Sequence, residues 1–338
     1  MNRNFRLITA MCVAFLALLV EVSFASESSR FRVGMVFDKG GRDDRSFNAA
    51  AWQGLVEART RLGVDVKFVE AMDDNAYEPA LRTFARKKFD LVIAIGFSQA
   101  EPISRAARDF PAVHFALVDA VVDQPNVRSL VFADHEGAFL AGAAARLKSR
   151  TGKVGFLGGM DVPLIRRFDM GFKAGARHVD PRAVTLSNFV GVTVDSWNNP
   201  PKAKELALSQ FANGVDVLYV AAGASAAGAF DAAAERGVFA IGTDSNQNGQ
   251  KPGRILTSIL KRIDVAIFQV VDDAKNGRFS GGKREFGIAN GGIDFAMDRF
   301  NQGVLDPETK SKLDQLKRDI ASGAVKVPDY YLTGGAGK

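Results

Sequence analysis

The chain has 338 residues, 47% of them hydrophobic, with a formal net charge of +6; that is enough apolar material for two packed domains. Lys and Arg are interleaved with Asp and Glu without forming a basic stripe, which gives nucleic-acid binding little support. The single cysteine, Cys12, leaves the rest of the chain without a disulfide, a thiolate nucleophile or a thiolate metal site.

The first 25 residues read as a secretory signal peptide. Arg3 and Arg6 precede an apolar run from Leu7 to Val20, and Ser23-Phe24-Ala25 places small residues where a signal peptidase reads. Cleavage is expected after Ala25, giving a periplasmic protein. Cys12 lies inside the apolar run, too close to the start for lipid attachment, so a soluble exported protein is expected over a lipoprotein. No second apolar stretch is long enough to span a membrane.

Short apolar strands then alternate with helices. Strands are expected at 32–37, 64–69, 91–96 and 113–119, with helices at 49–61, 78–87 and 101–109 between them. A second series follows: helix 136–148, strand 153–157, helix 165–178, strand 185–190, helix 201–212, strand 215–222, helix 225–236 and strand 239–244. Strand 254–258, helix 263–276, strand 286–290 and helix 309–322 complete the chain. This β-α-β alternation predicts α/β architecture with parallel, doubly wound sheets. The Gly-Gly-Ala-Gly tail at 334–337 ends in Lys338 and lacks the Ser or Thr of a phosphate loop.

Candidate binding residues cluster at strand ends. Asp38, Asp119 and Asp244 each close a strand, and in an open α/β sheet ligands bind beyond the carboxyl ends of the strands. One such acid is ordinary turn or capping chemistry; three at equivalent edges can converge on ligand hydroxyls or ring N–H groups, or on calcium. No D-x-[DN]-x-[DN]-G loop is present, which places metal second, and no nucleophile accompanies the acids. Ser46, Phe47 and Asn48 follow the first strand. Ser46 reads equally as an N-cap, Phe47 as core or as an aromatic platform, and Asn48 offers a donor and an acceptor. Tyr219 is either core or the second wall of an aromatic clamp, and Lys261 either a surface residue or a donor to a ligand. His114, His135 and His178 have no partner at metal-ligand spacing.

The chain resembles the Bmp (basic membrane protein) family of ABC-transporter substrate-binding proteins from about Phe31 to Asp329. The resemblance rests on Asp43-Asp44-Arg45-Ser46-Phe47-Asn48 with Trp52-Gln53-Gly54, on Asp134-His135-Glu136-Gly137-Ala138-Phe139-Leu140-Ala141-Gly142, and on Gly158-Gly159-Met160. It extends through Gly171-Phe172-Lys173-Ala174-Gly175, Trp197-Asn198-Asn199-Pro200, Gly242-Thr243-Asp244 and Thr257-Ser258-Ile259-Leu260-Lys261-Arg262. It implies a type I periplasmic-binding fold, two Rossmann-like lobes joined by three crossovers. Residues 31–132 and 257–290 are expected in the first lobe, 133–256 and 291–330 in the second, and 331–338 as a flexible tail. It also implies a monomeric, non-enzymatic receptor that binds a purine nucleoside or similar planar heterocycle without a cofactor and docks on a membrane permease. Under it Phe47 stacks on the base, with Asp38 beside it; Asn48 and Asp119 read the polar edge; Tyr219 is the opposing aromatic; Asp244 and Lys261 hold the ribose. Gly223-Ala224-Ser225-Ala226 departs from the family's glycine-rich turn and is expected to crowd the ribose, and Tyr219 replaces a more usual Phe. A sugar receptor of the same fold, an exported nucleoside hydrolase and a signalling receptor are the rival readings.

Overall fold

The computed structural model describes residues 30–333; the expected signal peptide and the glycine-rich tail fall outside them. The first series runs β1 (Arg32–Phe37), α1 (Phe47–Leu62), β2 (Asp65–Glu70), α2 (Tyr77–Arg86), β3 (Leu91–Ile95), α3 (Ala100–Asp109), β4 (His114–Val118) and β5 (Val127–Phe132). The second runs α4 (Asp134–Lys148), β6 (Lys153–Met160), α5 (Pro163–Val179), β7 (Val184–Gly191), α6 (Pro200–Ala212), β8 (Val217–Ala221), α7 (Ala226–Arg236), β9 (Phe239–Asp244) and β10 (Ile255–Lys261). Helix α8 (Ile263–Lys275), strands β11 (Gly282–Phe286) and β12 (Ile293–Phe295), and helix α9 (Pro307–Ala321) follow.

These strands form two six-stranded sheets, ordered β11-β5-β4-β3-β1-β2 and β12-β10-β9-β8-β6-β7. Pairing is parallel except between β10 and β12. The central strands β3 and β8 are buried at every position, as expected where helices cover both faces of a parallel sheet. The chain passes between the sheets three times: from β5 into α4, from β10 into α8, and from β11 to β12.

One expected boundary moves. Residues 257–261 belong to β10, which pairs with β9 and β12 in the second sheet, so the crossing to the first sheet falls at Arg262 rather than before Thr257. Helix α8 then packs on α1. The late strand expected at 286–290 lies at Gly282–Phe286 and is followed by a 3-10 turn at Ile288–Asn290. Strand β5 has no counterpart among the expected elements. Its Arg128 and Ser129 interrupt the apolar pattern, yet both are buried: Arg128 bonds Asp273 at 2.6 Å and the Ser280 carbonyl at 2.8 Å.

The second lobe is held by a close pairing of α4 with α5. A Cβ at Gly142 would lie 1.9 Å from the Phe172 carbonyl oxygen, and one at Gly175 would lie 1.9 Å from that of Phe139. Only glycine allows the backbones this near. That contact anchors the C-terminal half of α5 on α4, and the N-terminal turns of the same helix supply one wall of the site.

Candidate functional site

The carboxyl ends of β1, β4 and β9 bring Asp38, Asp119 and Asp244 to one cavity between the sheets, together with Phe47 and Lys261. Asp119 and Asp244 have φ values of 72° and 68°, a left-handed conformation that costs roughly 1–3 kcal/mol in a non-glycine residue and persists only where surrounding structure imposes it. The two turns aim the carboxylates off the strand ends. The opposite side is apolar: Ile165 and Phe168 from the first turns of α5, with Trp197.

Each acid is partly committed. One Asp38 oxygen accepts from the Gly40 N–H at 2.9 Å and from the Asn48 side chain at 2.7 Å. Asp119 accepts from Lys261 at 2.7 Å through one oxygen, and its other oxygen is buried without a partner. Asp244 accepts from the Ser46 hydroxyl at 2.7 Å. Burial raises the pKa of all three because a carboxylate loses its hydration there. At Asp119, Lys261 opposes that rise and Asp134 adds to it.

Lys261 is 3% exposed. Its ammonium lies 2.7 Å from Asp119 and 3.0 Å from Asp134. It also stands 5.3, 5.0 and 5.8 Å from the ring centres of Phe47, Phe132 and Phe168, within cation–π range. Burial works against its charge, but Asp119, Asp134 and Asp244 outweigh it, and the pKa stands above the ordinary lysine value. The lysine is therefore a buried, charged centre with one face toward the cavity.

Of the expected site residues, Asp38, Phe47, Asp119, Asp244 and Lys261 line this cavity. Asn48 does not: it is 1% exposed and stands behind Asp38, orienting that carboxylate. Tyr219 does not either. It is fully buried on β8, stacked 5.7 Å from Phe172 and tilted against Phe156 at 5.8 Å, so its ring belongs to the core of the second lobe. The aromatic wall facing Phe47 comes from Phe168 and Trp197 instead. A trace of this was present in the sequence: Ile165, Phe168 and Phe172 form a helical stripe, of which the first two reach the cavity and the third packs inward. Trp197 is seated over Gly159, where a Cβ would lie 2.4 Å from its ring.

Two further readings change. Ser46 is not a side-chain cap. Asp44 caps α1, accepting from the N–H groups of Ser46, Asn48 and Ala49 at 2.8–3.0 Å, and burial raises its pKa to about 7. Ala224 and Ala226 do not line the cavity, which meets Gly223 at that turn; Ala226 is buried in the core of the second lobe. Ser225 between them accepts from the Asn199 N–H at 2.6 Å and donates to the Ser196 carbonyl at 2.8 Å, fastening the segment that carries Trp197.

The lobes touch around the cavity. Besides Ser46–Asp244, the Ser245 hydroxyl donates to the Ser46 carbonyl at 2.6 Å and the Gln247 amide to the Arg45 carbonyl at 3.0 Å, and Lys39 pairs with Asp195. The site is in a closed arrangement. Among the described residues, no group of three or more His, Cys, Asp or Glu is placed to hold a metal ion.

A family model described as ABC transporter substrate-binding protein, PnrA-like, matches residues 31–330. The CD4+ T-cell-stimulating antigen of Listeria monocytogenes is 31% identical over an alignment 360 positions long, covering 97% of this chain and 99% of that protein. The ABC transporter nucleoside-binding protein BmpA of Lactococcus lactis is 32% identical over 321, covering 88% and 89%. A crystal structure of an ABC transporter solute-binding protein from Aeropyrum pernix superposes with a TM-score of 0.78 at 30% identity, covering 88% of this chain and 94% of that one. With two mostly parallel sheets joined by three crossovers around a closed cleft, the chain belongs to the Bmp family of ABC-transporter substrate-binding proteins and has the type I periplasmic-binding fold.

Proposed function

We propose that this protein is the extracytoplasmic receptor of an ABC importer, acting as a monomer, and that its ligand is a nucleoside. The observation that carries the reading is the convergence of Asp38, Asp119 and Asp244 on a cavity walled by Phe47 on one side and by Phe168 and Trp197 on the other. A base lies flat against Phe47, with the opposing aromatics closing over it. The carboxylates accept from ring N–H groups and sugar hydroxyls, and bonds to a charged acceptor are the stronger kind. Discrimination follows from the same groups, since a ligand without matching donors leaves buried acceptors unpaired. The name of the Lactococcus lactis relative supports the ligand class.

The cavity's charge narrows that class. Three carboxylates face it against one ammonium, already shared by two acids. A phosphate brought here would meet buried like charge, so neutral nucleosides bind and nucleotides are rejected. Closure on the nucleoside then presents the lobes to a membrane permease.

The test is a thermal-shift panel with purine and pyrimidine nucleosides, their monophosphates, free bases, ribose and common sugars, since a ligand that binds only the native state raises the melting temperature with its excess over Kd. A shift with nucleosides and none with monophosphates or ribose is expected. A shift with sugars alone overturns the nucleoside reading and leaves a receptor of the same fold. Release of free base and ribose on incubation would make the protein a hydrolase.

A further inference from the structure

Arg167 is a guanidinium buried where the lobes join, 4% exposed, on the helix that supplies Phe168 to the cavity. It forms a two-pronged pair with Asp329, both bonds at 2.7 Å. Its remaining terminal nitrogen donates to the Phe132 carbonyl at 2.5 Å, at the end of β5, and lies 3.9 Å from Asp134. The Tyr331 ring covers it at 4.9 Å. Asp329 and Tyr331 come from the segment after α9.

Asp134 is 2% exposed, and neither of its oxygens has a well-directed hydrogen bond. Two cations balance it: Lys261 at 3.0 Å from one oxygen and Arg167 at 3.9 Å from the other. The buried groups thus alternate in sign from the cavity outward: Asp119, Lys261, Asp134, Arg167, Asp329. His135 extends this end, its ring 3.9 Å from Asp329.

We propose that Asp329, in the C-terminal segment, is a positioning residue for the ligand site, acting through Arg167 and Asp134 on Lys261. While Asp329 occupies the guanidinium fork, Asp134 remains free to hold the Lys261 ammonium between itself and Asp119. Neutralising Asp329 leaves Arg167 buried and short of a partner, an expensive state. Two other carboxylates stand within reach of the guanidinium: Glu285 at 3.8 Å, which is exposed and hydrated, and Asp134 at 3.9 Å, which is buried beside it. Asp134 is the one whose movement reaches the site. Drawn toward Arg167, it releases Lys261 onto Asp119 and alters the acceptor that Asp119 presents to the cavity. No atom of Asp329 lines the cavity, so the effect is transmitted.

The test has one arm independent of the ligand. In ligand-free protein carrying 15N-labelled lysine side chains, the slowly exchanging ammonium signal missing from Lys261→Met reports Lys261. Asp329→Asn is expected to shift or broaden it, and Asp329→Glu to restore it at least in part. An unmoved signal overturns the proposal. The second arm rests on the nucleoside reading. By calorimetry with inosine, adenosine and guanosine, Asp329→Asn is expected to raise Kd roughly 2- to 30-fold, the range for residues coupled to a site without touching the ligand. In an Asp134→Asn background the same change is expected to have little further effect. A full, additive loss in that background means the tail acts by another route and overturns the proposal. A moved lysine signal with no nucleoside binding sinks the nucleoside reading alone. Should Asp329→Asn not fold, Arg167→Lys, which keeps the charge but loses the fork, is read in the same two arms.

Discussion

The Ser46 hydroxyl donates to the Asp244 carboxylate at 2.7 Å, joining the start of the first helix of one lobe to the end of β9 in the other. It forms part of the closed seam and also orients an acid that faces the cavity. Ser46→Ala removes both effects. Hydrogen bonds to charged groups contribute about 1.5–3 kcal/mol, part of which is spread over closure, so nucleoside affinity is expected to fall about tenfold. Calorimetry measures that loss. Small-angle scattering of the ligand-free variant should show a larger radius of gyration than the parent if the bond holds the lobes together.

The aromatic walls make opposite predictions for two residues that look alike in the sequence. Phe47→Ala removes the platform, and base–aromatic stacking is worth about 1–3 kcal/mol, so nucleoside affinity should fall roughly 10- to 100-fold. Tyr219→Phe removes a buried hydroxyl that makes no well-directed hydrogen bond, on a ring that does not line the cavity. It should leave Kd unchanged and leave the melting temperature unchanged or slightly higher. A large loss of affinity in Tyr219→Phe would return that ring to the site.

Tyr219, which the sequence leaves open between core and clamp wall, shows what the sequence carries. Strands buried on both faces, such as β1 and β3, are legible because a short continuous apolar run bounded by turn residues has few alternatives. The acids that close β1, β4 and β9 are legible for the same reason. The destination of an aromatic inside such a run is not. Tyr219 and the neighbouring Val220 point to opposite faces of one sheet, and which face meets helix and which meets ligand depends on strands far away in the chain. The same nonlocal pairing hid the placement of Lys261. It stands at the end of a strand whose neighbours, β9 and β12, are set by sheet order. Trp197 reaches the cavity because Gly159 and Ser225, distant in sequence, leave it space and fasten its loop.

The buried acids give the protein a pH signature. Asp44 titrates at about 7 in the native state, and Asp38, Asp119 and Asp244 are also raised by burial, against about 3.9 in an unfolded chain. Between roughly pH 4 and pH 7 the native state keeps protons that the unfolded chain has released. The contribution is therefore fully present below about pH 4 and is lost as pH rises through about 7. Urea melts from pH 4.5 to 7.5 should show this loss of stability for the ligand-free protein, less steeply in Asp44→Asn. Nucleoside binding runs the other way. Its donors favour the ionised carboxylates, so affinity should rise with pH as Asp119, pushed up to about 7 by burial, loses its proton, with release of protons read as heats that differ between buffers of different ionisation enthalpy.

The seat of Trp197 supplies a final, internally controlled test. A Cβ at Gly159 would stand 2.4 Å from the Trp197 ring and 2.5 Å from a second ring atom, a contact that real side chains do not tolerate. Gly159→Ala should push the indole toward the cavity that it lines. The expected cost is about 1–3 kcal/mol of stability, typical of overpacking, together with weakened binding, because the space for the base is reduced. Trp197→Ala alone should also weaken binding, by loss of the wall rather than by crowding. The two costs have a common origin, so they should not add: once the indole is gone, Gly159→Ala has nothing to strike, and the double variant should melt close to Trp197→Ala. Denaturant melts of the four proteins measure the coupling directly. If the losses add in full, the methyl at 159 is striking something other than Trp197, and the indole is not held in place by that glycine.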